Sequence, residues 1–285
     1  MDQIIETSQP EMGGRATPKQ ATWGTFTTWR QFVQAHELRI IPLVGVVTLL
    51  ILWEAAPALG WVKPIFTSSP SRIVQAAIWL FAHGLWNDIV VSLSEFGLGF
   101  GLALLFAIPV GIVLGWSRRL HALFDPFITA LNATPRVALL PLIILWLGIG
   151  LESKVAIVFL GALFPLLINT IVGVQTLDTN LVRCARAFGA SDRQILVTVA
   201  LPTSIPFIIA GMRLGVGRGL LGVVVGELVA ASAGVGYMMN RAGSTFQTDK
   251  VFVGVLLIAG FCYTLTEILK RIEAHVSMWR PQETE

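Results

Sequence analysis

Residues 183–202 read RCARAFGASDRQILVTVALP, and this polar segment decides how the rest of the chain is organised around it. It separates an uncharged apolar stretch, Val155 to Leu177, from a second one that begins at Ile205. A helix needs about 20 apolar residues to cross a bilayer, and both stretches are long enough. The polar segment between two such spans lies outside the hydrocarbon. We therefore expect it to be presented to water, where a partner can bind it.

The composition places the whole chain in a membrane. Of its 285 residues 54% are hydrophobic and 13% are charged, and the mean hydropathy is +0.74. Soluble domains carry about 25% charged residues, so these values predict an all-α polytopic membrane protein. The basic residues are scattered between apolar runs, which argues against a nucleic-acid partner. Cys184 and Cys262 stand apart, so neither a disulfide nor a metal site is expected.

Six apolar stretches follow one another along the chain. As transmembrane helices they cover about residues 40–60, 96–116, 127–151, 155–177, 205–231 and 251–269. The third is interrupted by the run Asn132-Ala133-Thr134-Pro135-Arg136. We assign residues 39–275 to a transmembrane domain, with one tail before it at 1–38 and another after it at 276–285.

Lysine and arginine residues give the spans an orientation, because cytoplasmic loops carry the excess of both. With the N-terminus inside, twelve of the 20 fall in cytoplasmic segments, five in external ones and three within spans. The opposite orientation would invert this bias. We therefore expect both termini and residues 178–202 in the cytoplasm, and the loops 61–88 and 232–250 outside.

Residues 178–202 have the pattern of two short helices joined at a glycine. Gly189 is expected to end the first helix, and Ser191 with Gln194 forms a capping box that begins the second. The apolar face of the first helix contains Leu181, Cys184, Ala185 and Phe188. The second carries Ile195, Leu196 and Val199. Two interpretations remain open: the helices dock onto a partner, or they lie on the bilayer as an ordinary amphipathic loop.

The same residues resemble a known motif. Arg183-Cys184-Ala185, then Gly189, then Val199-Ala200-Leu201-Pro202 is similar to the EAA motif of ABC-importer permeases. Arg183 and Cys184 depart from it, since they stand where the motif has an acidic residue and an alanine. Further runs resemble the nitrate/sulfonate/taurine/bicarbonate branch of that family: Asn132–Pro135, Pro141-Leu142, Trp146–Gly148, Ala187–Ala190 and Gly211–Glu227. The likeness covers roughly residues 90–270.

This resemblance implies a type I ABC importer-like permease fold in the inner membrane of a bacterium. It implies that a coupling helix fits a groove on a cytoplasmic ATPase, with two ATPase subunits, a second permease copy and an external solute-binding protein as partners. The coupling residues that it implies are Arg183, Cys184, Ala185, Arg186, Phe188, Gly189, Ala190, Leu201 and Pro202.

No ATP site is visible in the chain itself. A phosphate-binding P-loop needs a Gly-Lys dipeptide, and none occurs in the sequence. Residues 217–222 match GxGxxG formally, but they lie inside a span with no preceding strand, which argues against a dinucleotide site. We therefore expect no cofactor and no enzymatic activity in this chain, and ATP hydrolysis by a separate subunit.

Glycines recur at helical spacing in two spans. The fifth carries Gly211, Gly215, Gly219, Gly222 and Gly226, and the second carries Gly97, Gly101, Gly111 and Gly115. Because glycine has no side chain, such stripes let another helix approach closely in lipid. We expect close helix packing, and a moving contact between subunits is compatible with it.

Six charged residues fall within the spans. Glu54 and Glu267 lie near span ends, and the other four are Arg136, Arg213, Arg218 and Glu227. A charge at mid-bilayer costs about 3 kcal/mol on insertion scales, so each should face protein or water. Two interpretations remain open, namely ion pairs that fix helix register, or the wall of a pathway that favours an anionic solute.

Two other classes of function compete with the importer. An ion-coupled secondary transporter would need acidic residues in its spans, and these are sparse. A membrane enzyme would need a cluster of nucleophile, base or metal ligands at one depth, and none is visible. The sequence therefore favours the permease subunit of an ATP-driven importer of a small polar solute.

Overall fold

The computed structural model of the chain describes residues 29–276. Residues 1–28 and 277–285, which make up most of the two expected tails, lie outside the described residues. The chain divides into two compact units at the boundary between Leu52 and Trp53. Of the described residues, 29–52 belong to the first unit, and all of them are helical. The second contains every site considered below.

The described residues fold into helices joined by short turns. These helices are α1 (Trp29–Ala58), α2 (Pro64–Thr67), α3 (Pro70–Ala82), α4 (Leu85–Trp116), α5 (Arg118–Ala133), α6 (Leu140–Leu147), α7 (Leu151–Gln175), α8 (Thr179–Ala187), α9 (Asp192–Ile195), α10 (Leu201–Ala230), α11 (Val235–Ser244) and α12 (Thr248–Val276). A 3₁₀ turn, Arg136–Leu139, precedes α6. A π turn, Leu196–Ala200, joins α9 to α10.

Within residues 29–276, five helical stretches are long and apolar enough to cross a membrane. They are residues 41–58 of α1, then α4, α7, the continuous stretch Asp192–Ala230, and α12. A sixth candidate is the pair formed by α5 and residues 136–147, which pass the same test together but are bent by 85° at the break between them. The prediction of an all-α polytopic membrane protein is thus confirmed.

The break in the third span lies where the sequence predicted an interruption. A residue before proline is pushed out of the helical region, and Thr134 has φ −67° and ψ 127°. The preceding helix nevertheless begins at Arg118, nearer the N-terminus than the predicted 127. Ser117 caps it by accepting a hydrogen bond from the Leu120 amide at 3.4 Å. The charged residues at 118–125 masked this helix, because hydropathy alone places them in a loop.

Helix α7 is the central element of the second unit and packs along α4 and α10. Every glycine of the predicted stripe on α10 faces it: a Cβ on Gly211 would lie 2.9 Å from Asn169 Cβ, and one on Gly222 would lie 3.2 Å from the Ile157 carbonyl. Close packing is therefore confirmed for α10. The stripe lies inside one chain.

On α4 the prediction that four glycines share one packed face is correct for two of them. Gly111 and Gly115 pack against α7. A Cβ added to Gly97 or Gly101, by contrast, would have no other atom of the described chain within 4 Å. Gly99 takes their place, since a Cβ there would lie 2.6 Å from Val158 Cβ. The prediction placed all four glycines on one face because of their four-residue spacing. Along a helix of 32 residues such a spacing moves gradually round to other faces, because one turn has 3.6 residues.

Candidate functional site

The polar segment is a capped helix followed by a sharp turn. Asp178 begins α8 by accepting a hydrogen bond from the Asn180 amide at 2.8 Å. At the other end Gly189 has φ +79°, a left-handed conformation that glycine adopts at little cost. The amides of Ala190 and Gly189 donate to the carbonyls of Ala185 (3.0 Å) and Arg186 (2.9 Å), which is the Schellman arrangement. The predicted stop at Gly189 is confirmed.

The predicted capping box after this turn is also confirmed. The Gln194 amide donates to Ser191 Oγ at 3.4 Å, and the Ser191 amide donates to Gln194 Oε1 at 2.8 Å. The helix that begins there is not a separate surface helix, however. It continues through the π turn into α10, so that Asp192–Ala230 form one helical stretch of 39 residues.

A proline accounts for that wide turn. The Leu201 amide donates to the Leu196 carbonyl, five residues back. Pro202 has no N–H, and in a regular α-helix its ring would collide with the carbonyl four residues before it. The π turn makes room for the ring without ending the helix. Leu201 and Pro202 therefore belong to the first turn of α10.

We call residues 178–202 the docking segment, after the first of the two interpretations that the sequence left open. Phe188 is 87% exposed and Leu181 is 51% exposed, and Cys184 is exposed beside them. Arg183 is exposed, and Arg186 reaches Asp192 at 3.2 Å in an ion pair open to solvent. This exposed apolar surface suits either docking onto a partner or contact with the bilayer, the two interpretations that the sequence left open.

An open cleft of about 730 Å³ lies beside the docking segment, between α8 and the junction of α4 with α5. Its ionisable lining residues are all basic: Arg118, His121, Arg183 and Arg186. No carboxylate lines it among the described residues. The cleft is therefore basic.

A second cluster lies within the predicted membrane spans. In it, two arginine side chains donate hydrogen bonds to the side chain of one asparagine. Arg136 Nη2 donates to Asn132 Oδ1 at 2.9 Å and to the Asn132 carbonyl at 3.3 Å. Arg218 Nη1 donates to the same Oδ1 at 3.4 Å. The Arg136 guanidinium also lies over the Phe164 ring, 5.4 Å from its centroid. We call Asn132, Arg136 and Arg218 the arginine pair site.

The arginine pair site has no acidic partner in the part of the chain that the structure describes. None of the four ion pairs found there includes Arg136 or Arg218. Arg136 Nε is buried without a hydrogen-bond partner. Arg218 is exposed on the single subunit, although it lies near the middle of α10.

The other two charged residues predicted for the pathway lie elsewhere. Arg213 forms an ion pair with Glu273 of α12 at 3.0 Å, and both side chains are about a quarter exposed. Of the two interpretations left open by the sequence, the ion pair describes Arg213. This pair joins α10 to α12.

Glu227 is 1% exposed and holds the beginning of α11. Ser92 Oγ donates to Glu227 Oε1 at 2.5 Å, and the Gly236 amide donates to Glu227 Oε2 at 2.6 Å. The amides of Val235 and Gly234 donate to Ser92 Oγ and Asp88 Oδ1, both at 2.9 Å. Three side chains of α4 and α10 therefore satisfy the free amides of α11.

Sequence reasoning missed one buried ion pair. Lys154 Nζ lies 2.7 Å from Glu95 Oε1, and the two side chains are 9% and 2% exposed. Lys154 was predicted in an external loop, but it lies in the first turn of α7. The signal was an acidic and a basic residue at the ends of two apolar stretches. No group of three or more His, Cys, Asp or Glu side chains suited to a metal ion was found among residues 29–276.

Comparison with known proteins identifies the family. Residues 107–277 match the family model described as "Binding-protein-dependent transport system inner membrane component". The chain belongs to this family. Membership favours the importer over the secondary transporter and the membrane enzyme that the sequence left as rivals.

Similar proteins carry more specific names. The taurine transport system permease protein of Escherichia coli (strain K12) is 32% identical over 237 residues, 81% of this chain and 86% of that protein. The putative aliphatic sulfonates transport permease protein of Bacillus subtilis (strain 168) is 34% identical over 81% of this chain and 84% of its own length. Its counterpart in Escherichia coli (strain K12) is 35% identical over 78% and 85%.

A solved structure confirms the fold. The MetNI methionine ABC transporter in an inward-facing conformation superposes with a TM-score of 0.53 and 20% sequence identity. The match covers 70% of this chain and 97% of that one. The chain therefore has the fold of an ABC transporter membrane subunit.

Proposed function

We propose that this chain is the pathway-forming subunit of an ATP-driven importer for small sulfonates, coupled to a separate ATPase through the docking segment. The names of the taurine and sulfonate permeases that it is similar to support the substrate class. The observation that carries the coupling role is Phe188, 87% exposed at the end of a helix whose following turn leads directly into α10.

The complex we propose has two copies of this chain, two ATPase subunits and an external solute-binding protein. It lies in the bacterial inner membrane with both termini and the docking segment in the cytoplasm, as the distribution of lysine and arginine favours. ATP is hydrolysed by the ATPase subunits and not by this chain.

The chemistry of the ATPase surface follows from the basic cleft. Arg183 stands where the EAA motif has an acidic residue, and it lines the cleft with Arg118 and Arg186. A groove with an apolar pocket for Phe188 and carboxylates at its rim would complement this surface. Complementary charges at such a rim act mainly on specificity and on the rate of association.

The test substitutes Phe188 by aspartate and co-expresses the chain with its ATPase and binding protein. Phe188→Asp should leave the chain in the membrane and abolish both ATPase co-purification and ATP-dependent taurine uptake, because a carboxylate would be buried in an apolar pocket. Phe188→Leu should retain at least part of both.

Phe66 supplies a matched control, since it is 65% exposed on α2, away from the docking segment. Phe66→Asp should keep normal ATPase co-purification. Normal co-purification and uptake by Phe188→Asp would overturn the docking role.

A further inference from the structure

We propose that the arginine pair site binds the oxyanion end of the transported solute inside the translocation pathway. This inference rests on the proposed function and deepens it, because it names the residues that recognise the solute and the part of the solute that they recognise.

The face that carries Arg218 cannot lie against lipid. Arg218 is near the middle of α10 and exposed on the single subunit. A guanidinium in hydrocarbon costs about 3 kcal/mol on insertion scales and more in simulations. This face is therefore covered by water or protein in the membrane. The residue before it, Gly217, would have no atom of the described chain within 4 Å of an added Cβ, so the described chain leaves this part of α10 uncovered.

The site lacks negative charge. Two cations share one neutral acceptor, Asn132 Oδ1, and no carboxylate pairs with either in the described residues. Two like charges at this separation repel each other in a medium of low dielectric constant. An anion bound to both guanidinium groups would relieve that repulsion.

Arg136 is held ready for such an anion. Its side chain reaches back over the break in the third span to the Asn132 carbonyl and stacks on Phe164. Non-helical backbone at membrane depth is tolerated where it lines a cavity, and broken helices form binding sites in transporters. The 85° bend between α5 and residues 136–147 is a break of this kind.

A sulfonate or a similar oxyanion fits this donor set. Guanidinium groups bind oxyanions through paired, charge-assisted hydrogen bonds, and lysine cannot reproduce that geometry. The described surroundings offer no carboxylate to an ammonium group, so the site recognises the oxyanion end of the solute and does not bind a cationic tail. Tail selection is left to the external binding protein.

The experiment compares anion binding with transport in the assembled complex. The complex of this chain with its ATPase is placed in lipid nanodiscs, and methanesulfonate is titrated while the thermal unfolding midpoint is followed at constant ionic strength. Methanesulfonate should stabilise the wild type, and tetramethylammonium at the same ionic strength should not. Arg136→Gln and Arg218→Gln should each weaken methanesulfonate binding tenfold or more, and Arg218→Lys should weaken it less.

The matched control removes a charge pair from the same helix. The double variant Arg213→Gln with Glu273→Gln should bind methanesulfonate as the wild type does, because Arg213 already has an acidic partner. In proteoliposomes that also contain the binding protein, the KM for taurine should rise for the two arginine variants, and normal ATPase co-purification should persist.

The outcomes separate the site from the proposed function. Unchanged methanesulfonate binding and unchanged KM in Arg136→Gln and Arg218→Gln would overturn the site while leaving the importer intact. Loss of methanesulfonate binding in these variants would support the site even if no ATP-dependent uptake were found, an outcome that would refute the proposed function alone. If Arg218→Gln does not assemble, Arg218→Lys decides: a raised KM supports the site, and an unchanged KM overturns it.

Discussion

Carboxylates that lie within apolar sequence here hold the beginnings of neighbouring helices. Glu227 accepts from the amide of Gly236 in α11, and Glu54 accepts from the amide of Ser71 in α3 at 3.0 Å. A helix N-terminus has unpaired amides and a partial positive charge, and a carboxylate satisfies both. Sequence alone shows only a charge in a span, since the amides that donate to it lie in a helix that hydropathy assigns to a loop. This is why Glu227 was predicted for the pathway.

The ion pair between Lys154 and Glu95 gives the residue-scale prediction. Removing one member of a buried pair leaves an uncompensated charge and costs about 3–5 kcal/mol, whereas replacing both can be nearly neutral. Lys154→Met should therefore lower the thermal unfolding midpoint of the detergent-purified protein sharply. The double variant Lys154→Met with Glu95→Gln should recover most of the loss.

Glu152 provides the control for this prediction, since it lies in the same turn of α7 and is exposed. Glu152→Gln should leave the midpoint unchanged. Equal midpoints for the single and double variants would show that the ion pair does not contribute in this way.

At the scale of the helices, the packing of α4 on α7 can be tested with two glycines of α4 that stand two residues apart. A Cβ on Gly99 would lie 2.6 Å from Val158 Cβ and 2.7 Å from the Val155 carbonyl, so Gly99→Ala must push the helices apart. Overpacking of this kind typically costs about 1–3 kcal/mol. Gly99→Ala should lower the unfolding midpoint, and Gly97→Ala, which meets nothing of the described chain, should not. A larger loss for Gly97→Ala would contradict the packing described.

Hydropathy and capping chemistry predicted most elements, and tertiary contacts decided the rest. The stop at Gly189, the capping box at Ser191 and the interruption at Pro135 each follow from local backbone chemistry, and each is confirmed. The glycine face of α4 and the fusion of α9 with α10 do not follow from local backbone chemistry alone. The first depends on which side of α4 meets α7, and the second on whether a proline ends a helix or widens one turn.

At the scale of the whole molecule, the orientation in the membrane is the next quantity to measure. In a variant without Cys184 and Cys262, single cysteines at Ser191 and Ser244 test it, and both positions are exposed. An impermeant thiol reagent applied to intact cells should label Ser244→Cys and spare Ser191→Cys, because the docking segment is expected in the cytoplasm. Labelling of Ser191→Cys only after cell lysis is the supporting control, and its labelling from outside would contradict the orientation.

The sites also differ in how far sequence could predict them. Arg136 and Arg218 stand out because charges are rare in spans, so both were found as candidates. Their meeting over Asn132 depends on the bend at Pro135 and on contacts between residues 86 positions apart. The ion pair of Glu95 with Lys154 joins residues 59 positions apart, and neither lies in the centre of an apolar stretch.

The unbroken helical stretch from Asp192 to Ala230 has a mechanical consequence. At 1.5 Å per residue it is a rod about 58 Å long. One end adjoins Phe188, Arg218 lies about two thirds of the way along, and Glu227 near the other end accepts a hydrogen bond from the first turn of α11. We expect a displacement of the first end to reach Arg218 and the contact with α11 through the backbone of one helical stretch, with no intervening loop. Coupling between an ATPase at one face of the membrane and solute release at the other would then need no further structural element between them.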